Sequence, residues 1–90
     1  MSIEQVLAER AKTHGEFKNH AAIAQSLKDM MRIGSNWHKL SSEMREALEM
    51  IQHKIARILN GDPEVKDHWT DIIGYAKLIE QTLKEPNANK

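Results

Sequence analysis

The sequence predicts an all-α protein, a small bundle of about four helices built around an antiparallel helical hairpin. Apolar residues recur at spacings of three and four, and no segment alternates apolar and polar residues as a half-buried strand would. The 90 residues suit a single domain, expected over residues 1–85, with a flexible tail over 86–90. A chain of this length buries only about 60–65% of its unfolded surface, so its core is thin.

The first two helices are predicted over residues 2–13 and 16–33, with a break at His14-Gly15 between them. Gly34 and the two polar residues after it end the second helix. The second helix is expected to turn one face toward the core, formed by Phe17, His20, Ala21, Ala24, Leu27 and Met31.

The third and fourth helices are predicted to form the hairpin. Ser41 or Ser42 caps the third helix, and Asn60-Gly61 ends it because Gly adopts the left-handed C-terminal conformation without a Cβ penalty. Asp62-Pro63 predicts the start of the fourth helix, since Asp caps free N–H groups and Pro suits the first helical position. So short a connection forces antiparallel neighbours.

Each hairpin helix carries an apolar stripe with charged residues on one flank. Helical geometry predicts core stripes at Met44, Ala47, Leu48, Ile51, Ile55 and Ile58 in the third helix, and at Val65, Trp69, Ile72, Ala76, Ile79 and Leu83 in the fourth. His53 is expected to point outward. Gly74, in the middle of the fourth helix, costs about 1 kcal/mol against Ala and so predicts a close helix crossing or the approach of a ligand.

The charged flanks of the hairpin allow two interpretations. Counting outward from the turn sets Lys54 and Arg57 opposite Asp67 and Asp71. The two acids are an i,i+4 like-charge pair that costs about 0.2–0.5 kcal/mol in an isolated helix, so a cation should offset it. In the structural interpretation, Lys54 and Arg57 supply the positive charge that offsets the two acids. In the catalytic interpretation, a divalent metal ion supplies it, and the two basic side chains bind phosphate oxygens. Spacing alone leaves both open.

Bulk composition narrows the class of protein. Thirteen basic and thirteen acidic residues cancel, so no broad positive field favours nucleic acid. The chain has no Cys and no long apolar run, which predicts a cytoplasmic protein without a membrane segment. The five His residues have no zinc-site spacing. The thin core and the Met residues at 30, 31 and 50 predict a homodimer.

Three segments of the chain resemble a family of small, mostly uncharacterised bacteriophage and prophage proteins (DUF6378-like). They are ERAKTHGEF, ALEMIQHKIARILNG with its KIAR motif, and DHWTDIIGYAKL with the pattern DxWxDIxGYA, and the resemblance covers roughly residues 8–78. The residues that carry it are Glu9, Arg10, His14, Gly15, Lys54, Arg57, Asp67, Trp69, Asp71, Gly74 and Tyr75.

That family is in turn similar to the all-α nucleotide pyrophosphohydrolases of the MazG type, which hold Mg²⁺ with an ExxE motif and a downstream ExxD motif. Here Glu46-x-x-Glu49 precedes Asp67-x-x-x-Asp71, whose spacing and first acid differ from ExxD. The resemblance implies a Mg²⁺-dependent enzyme that cuts nucleoside triphosphates to monophosphate and pyrophosphate. It assigns metal binding and catalysis to Glu46, Asp67 and Asp71, and nucleotide binding to Lys54, Arg57 and Tyr75.

The alternative function is a non-catalytic module. In that case the protein binds a host protein or sequesters a ligand in the host-cell cytoplasm, and the charged cluster is purely structural. Metal-independent binding without turnover would distinguish this module from the hydrolase.

Overall fold

The computed structural model describes residues 2–83 of the protein. Within this range it contains four α-helices and no strand, which confirms the predicted all-α class. The predicted tail lies outside the described residues. The helices are α1 (Ile3–His14), α2 (Phe17–Ile33), α3 (Ser42–Asn60) and α4 (Lys66–Glu80), and a short 3₁₀ helix (Trp37–Lys39) precedes α3.

Serine caps begin two of the helices. The Ser2 hydroxyl accepts a hydrogen bond from the Gln5 N–H, and the Gln5 side chain accepts one from the Ser2 N–H, so α1 starts with a complete capping box. The Ser41 hydroxyl accepts from the Met44 N–H at 3.1 Å, as predicted for the start of α3. Each cap satisfies backbone donors that the first turn leaves free and contributes about 1 kcal/mol.

The hairpin turn is longer than predicted. α3 ends at Asn60 as expected, but Gly61 has φ −114° and is not left-handed. Asp62 accepts the Glu64 N–H at 2.9 Å, so its side chain caps the turn and not the helix. α4 begins only at Lys66, after a cap residue without a side-chain hydrogen bond. The prediction that Asp62-Pro63 starts the helix was therefore wrong.

α3 is the central helix, with α4 packed on one flank and α2 on the other. Ala47 is buried on the α4 side, whereas Gln52 and Ala56 are buried about half a turn around the helix, where α2 packs. α1 lies over the C-terminal end of α3. None of the helices in the described range combines the length and apolarity that a membrane span requires.

The stripes predicted for the core are only partly covered. The buried apolar residues of the described range are Ala24, Ala47 and Ala56. Leu48 is 41% exposed and Trp69 51% exposed, contrary to the prediction that both lie in the core. Leu48 is exposed because α2 and α4 cover the two sides of α3. The apolar stripe of α3 lies between these two sides and faces outward.

Candidate functional site

The turn between α1 and α2 is hydrogen-bonded to the turn between α3 and α4. The Asn60 side chain donates from Nδ2 to the carbonyl oxygen of His14 at 2.8 Å and to that of Glu16 at 2.9 Å. The backbone N–H of Asp62 donates to the carbonyl oxygen of Thr13 at 2.8 Å. These bonds hold the end of α1 against the C-terminal half of α3, although the residues they join lie far apart in the sequence.

A cavity opens between α1, the start of α2 and α3. Its volume of about 490 Å³ lies within the roughly 300–1,000 Å³ that small-molecule sites occupy. Two arginines and three histidines line it, and among the described residues no Asp or Glu does. We call it the histidine cavity, and its lining residues are Leu7, Arg10, Ala11, His14, Gly15, Phe17, His20, His53 and Arg57.

Histidines meet in pairs at this end of the molecule. The ring centroids of His20 and His53 lie 4.7 Å apart, and those of His14 and His68 lie 5.3 Å apart. His20 Nδ1 and His68 Nε2 are buried without a hydrogen-bond partner. Unpaired buried polar atoms are rare in native proteins. Of these two histidines, only His20 lines the cavity.

Burial keeps these four histidines neutral at pH 7. Desolvation is the main cause that lowers the pKa of each, because a buried imidazolium loses its hydration, and the nearby Arg57 guanidinium is the next cause in every case. The pKa of His53 falls furthest, to about 4. At pH 7 the cavity therefore holds neutral imidazoles around a permanent positive charge.

Arg57 supplies that charge from α3. Its side chain is partly buried, and within residues 2–83 it makes neither an ion pair nor a side-chain hydrogen bond. It therefore does not pair with Asp67, which the structural interpretation gave as its partner. A guanidinium that lacks a carboxylate keeps its rigid fork of N–H donors available to a bound anion.

Lys54 and Asp71 form the ion pair that counting outward from the turn predicted. Lys54 Nζ lies 2.9 Å from Asp71 Oδ2, the Lys54 side chain is 11% exposed and that of Asp71 is 44% exposed. The pair fastens α3 to α4 and uses one of the two basic side chains assigned to phosphate. Lys54 therefore has the ion-pairing role that the structural interpretation predicted, whereas Arg57 remains available to bind an anion.

Replacing Asp71 by Asn should lower the free energy of unfolding by about 1–2 kcal/mol, because Lys54 is left nearly buried without a carboxylate. Solvent around Asp71 keeps the loss below that of a fully buried pair. Asp67→Asn is the matched control, since Asp67 is exposed and forms no ion pair within the described range. Urea melts of both variants measure the difference, and equal effects would contradict a stabilising role for the pair.

The other residues assigned to the hydrolase site do not line the histidine cavity. Tyr75 shares one groove with Glu46 and another with Asp71, and neither groove includes Asp67. Within residues 2–83, no three His, Asp or Glu side chains are grouped as a metal ion would require. As arranged, these acids do not fit Mg²⁺, and we derive no hydrolytic step from them.

Sequence reasoning missed three residues of the cavity. His53 was expected in solvent, and Phe17 and His20 were expected in a helix core, but all three line the histidine cavity. Phe17 is 80% exposed at its rim. The ERAKTHGEF segment was the available signal, because Arg10 and His14 of that motif lie in the same cavity as Arg57 of the KIAR motif.

Comparisons with known proteins place the chain in a family. Neither the curated proteins nor the solved structures give a significant match. The model of one family, a domain of unknown function termed DUF6378, matches residues 2–83. This match spans all four helices and every residue that lines the histidine cavity. The chain therefore belongs to the DUF6378 family.

Proposed function

We propose that this protein binds a small phosphorylated molecule, of the nucleotide class, in the histidine cavity. The observation that carries the proposal is Arg57, a partly buried guanidinium that faces a cavity of ligand size and has no carboxylate partner within the described range. Arg–phosphate contacts form two parallel charge-assisted hydrogen bonds, which a phosphate supplies and water does not.

The remaining polar walls suit the same anion. Arg10 adds a second positive charge, and His14, His20 and His53 offer imidazole nitrogens at the sides. A neutral imidazole has one N–H donor, and the buried Nδ1 of His20 has no partner to lose when a ligand arrives. The absence of lining carboxylates removes the repulsion that would otherwise oppose a phosphate.

The rim of the cavity favours a nucleotide over inorganic phosphate. Phe17 is 80% exposed and stacks on His20 with a centroid distance of 6.1 Å, so its other surface is open to a flat ring. Leu7 continues this apolar rim. Stacking of a base on an aromatic side chain contributes about 1–3 kcal/mol. Tyr75, which the resemblance assigned to nucleotide binding, does not line this cavity.

Calorimetric titration of the native chain tests the proposal. We expect a non-hydrolysable nucleoside triphosphate to bind without added metal, and the same nucleoside without phosphates not to bind. Arg57→Gln should weaken the affinity by about 10- to 100-fold, which corresponds to the roughly 1.5–3 kcal/mol of a charge-assisted hydrogen bond. Unchanged binding in this variant would refute the role of the cavity.

Two further variants make the test specific. Arg32→Gln removes the same charge from an exposed residue outside the cavity and should leave affinity unchanged. Phe17→Ala should weaken nucleotide binding but not the binding of inorganic phosphate or pyrophosphate. Mg²⁺-dependent turnover that Asp71→Asn abolishes would instead support the hydrolase function inferred from the MazG-type resemblance.

A further inference from the structure

One side of α3 is apolar and uncovered by the described chain. A groove of about 490 Å³ separates it from the end of α2, and a second of about 300 Å³ separates it from α4. Leu40, Leu48 and Ile51 line both grooves, so the two form one continuous surface. We call it the α3 face, and define it by Leu40, Met44, Leu48, Ile51 and Ile55.

The composition of the α3 face is that of an interface core. Within residues 2–83, no Asp, Glu, Lys or Arg lines either groove. Charged residues are depleted in the centres of protein interfaces, whereas a solvated helix face normally carries them. The opposite side of the same helix shows the contrast, because it bears Glu46, His53 and Arg57.

The described chain does not complete a core of its own. Its buried apolar residues are three alanines, and no large side chain is fully buried. A folded protein of 10.3 kDa is expected to expose about 5,400 Å². This chain exposes 6990 Å². That area counts all 90 residues, eight of which lie outside the described range, so about 1,600 Å² is the upper bound of the excess.

We infer that the α3 face is the interface of a twofold homodimer, in which α3 of one copy packs antiparallel on α3 of the other. If half of the excess area on each copy is covered, the two copies together bury about 1,600 Å², the size of a standard protein interface. If most of it is covered, the buried area reaches that of obligate homodimer interfaces. An uncharged face is also complementary to itself, which a twofold interface requires.

A second copy fits this face better than an unrelated partner does, because the folded chain lacks a core of large buried side chains whether or not another protein is present. Leu48, Ile51 and Ile55 of α3 line these grooves, so a second copy supplies apolar cover that the described chain does not. The helix dipoles favour the antiparallel orientation, because the positive N-terminal end of each α3 then lies beside the negative C-terminal end of the other.

Sedimentation equilibrium of the native chain and two variants tests the inference. We expect the native chain to have twice the mass of the 10.3 kDa monomer. Leu48→Glu, which places a charge at the centre of the face, should weaken self-association at least about 100-fold. Leu78→Glu should leave it unchanged, although Leu78 is 60% exposed against 41% for Leu48, because Leu78 does not line the α3 face.

A second measurement covers the case in which Leu48→Glu fails to fold. Because the chain has no Cys, Leu48→Cys and Leu78→Cys each provide a single thiol for a short bis-maleimide cross-linker. Only Leu48→Cys should yield a covalent dimer, and the melting temperature of the native chain should rise with protein concentration.

A folded native monomer at high micromolar concentration would overturn the inference and leave the face to a different protein. This inference does not depend on the anion site, since the α3 face and the histidine cavity share no residue. The dimer should therefore persist in Arg57→Gln, and the loss of either property leaves the other standing.

Discussion

Gly15→Ala is expected to lower the free energy of unfolding by about 3 kcal/mol, far more than a single added methyl group costs at most positions. Gly15 has φ 76° and ψ −173°, a region that residues with a Cβ essentially never occupy, at a cost of about 1–3 kcal/mol. A Cβ there would also overlap the Asn60 carbonyl and lie 2.5 Å from Asn60 Nδ2. The methyl group would force apart the two turns that Asn60 joins.

Gly61→Ala separates the steric part of this effect from the backbone strain. Gly61 has φ −114°, which alanine tolerates, but its Cβ would approach the His14 carbonyl carbon at 2.6 Å and overlap the Thr13 carbonyl oxygen. We therefore expect a smaller but clear loss of about 2 kcal/mol. Both variants should also weaken ligand binding, because α1 carries Arg10 and His14 into the cavity.

Gly74→Ala is the matched control for both glycine variants. Nothing lies within 4 Å of a Cβ at Gly74, so the close crossing predicted from the sequence is absent. Alanine in mid-helix should stabilise the protein by about 0.5–1 kcal/mol. Urea melts followed by far-ultraviolet circular dichroism measure all three variants. A Gly15→Ala protein within about 0.5 kcal/mol of native would mean that α1 does not dock on the hairpin turn.

Local signals in the sequence predicted the helices and one side-chain pair. Gly34 and Gly61 follow the last residues of α2 and α3, and Ser41 caps α3, because caps depend on neighbouring residues only. Lys54 faces Asp71 because a single antiparallel hairpin fixes that register, and a shift of α4 by a few residues at its start does not change it.

The histidine cavity could not be predicted in the same way because it depends on where α1 docks. The hydrogen bonds that fix this docking join Asn60 to His14 and Glu16, which are 46 and 44 positions away in the sequence. Helical periodicity contains no information about contacts between such distant residues. Periodicity likewise identified the apolar stripe of α3 but not what covers it. His20 shows both limits: its inward direction was predicted, whereas its contact with His53 was not.

The stability of the protein is expected to fall steeply as the pH drops from about 6.5 toward about 4. Histidines titrate near pH 6.5 in the unfolded chain, whereas burial and Arg57 lower the pKa of His14, His20, His53 and His68 in the folded one. The unfolded state therefore binds more protons in this window. The stability that these four neutral histidines contribute is fully present above about pH 6.5. It is lost as the pH falls through their pKa values in the folded protein.

His53 should dominate this acid sensitivity because its pKa is lowered to about 4. Between about pH 7 and about pH 5 it alone should remove about 1–2 kcal/mol, a value already reduced for the part of its surface that stays in solvent. His53→Gln should flatten the pH dependence by that amount.

Mild acid should strengthen the binding of a phosphate, although it weakens the folded state. An anion beside Arg57 offsets the positive charge that lowers the histidine pKa values, so the complex takes up protons that the free protein does not. Affinity for the nucleoside triphosphate should therefore rise as the pH falls from about 7.5 to about 6, before acid unfolding begins. Calorimetry in two buffers of different ionisation enthalpy measures the proton uptake directly. Uptake that survives in Arg57→Gln, or none in the native chain, would contradict binding beside these histidines.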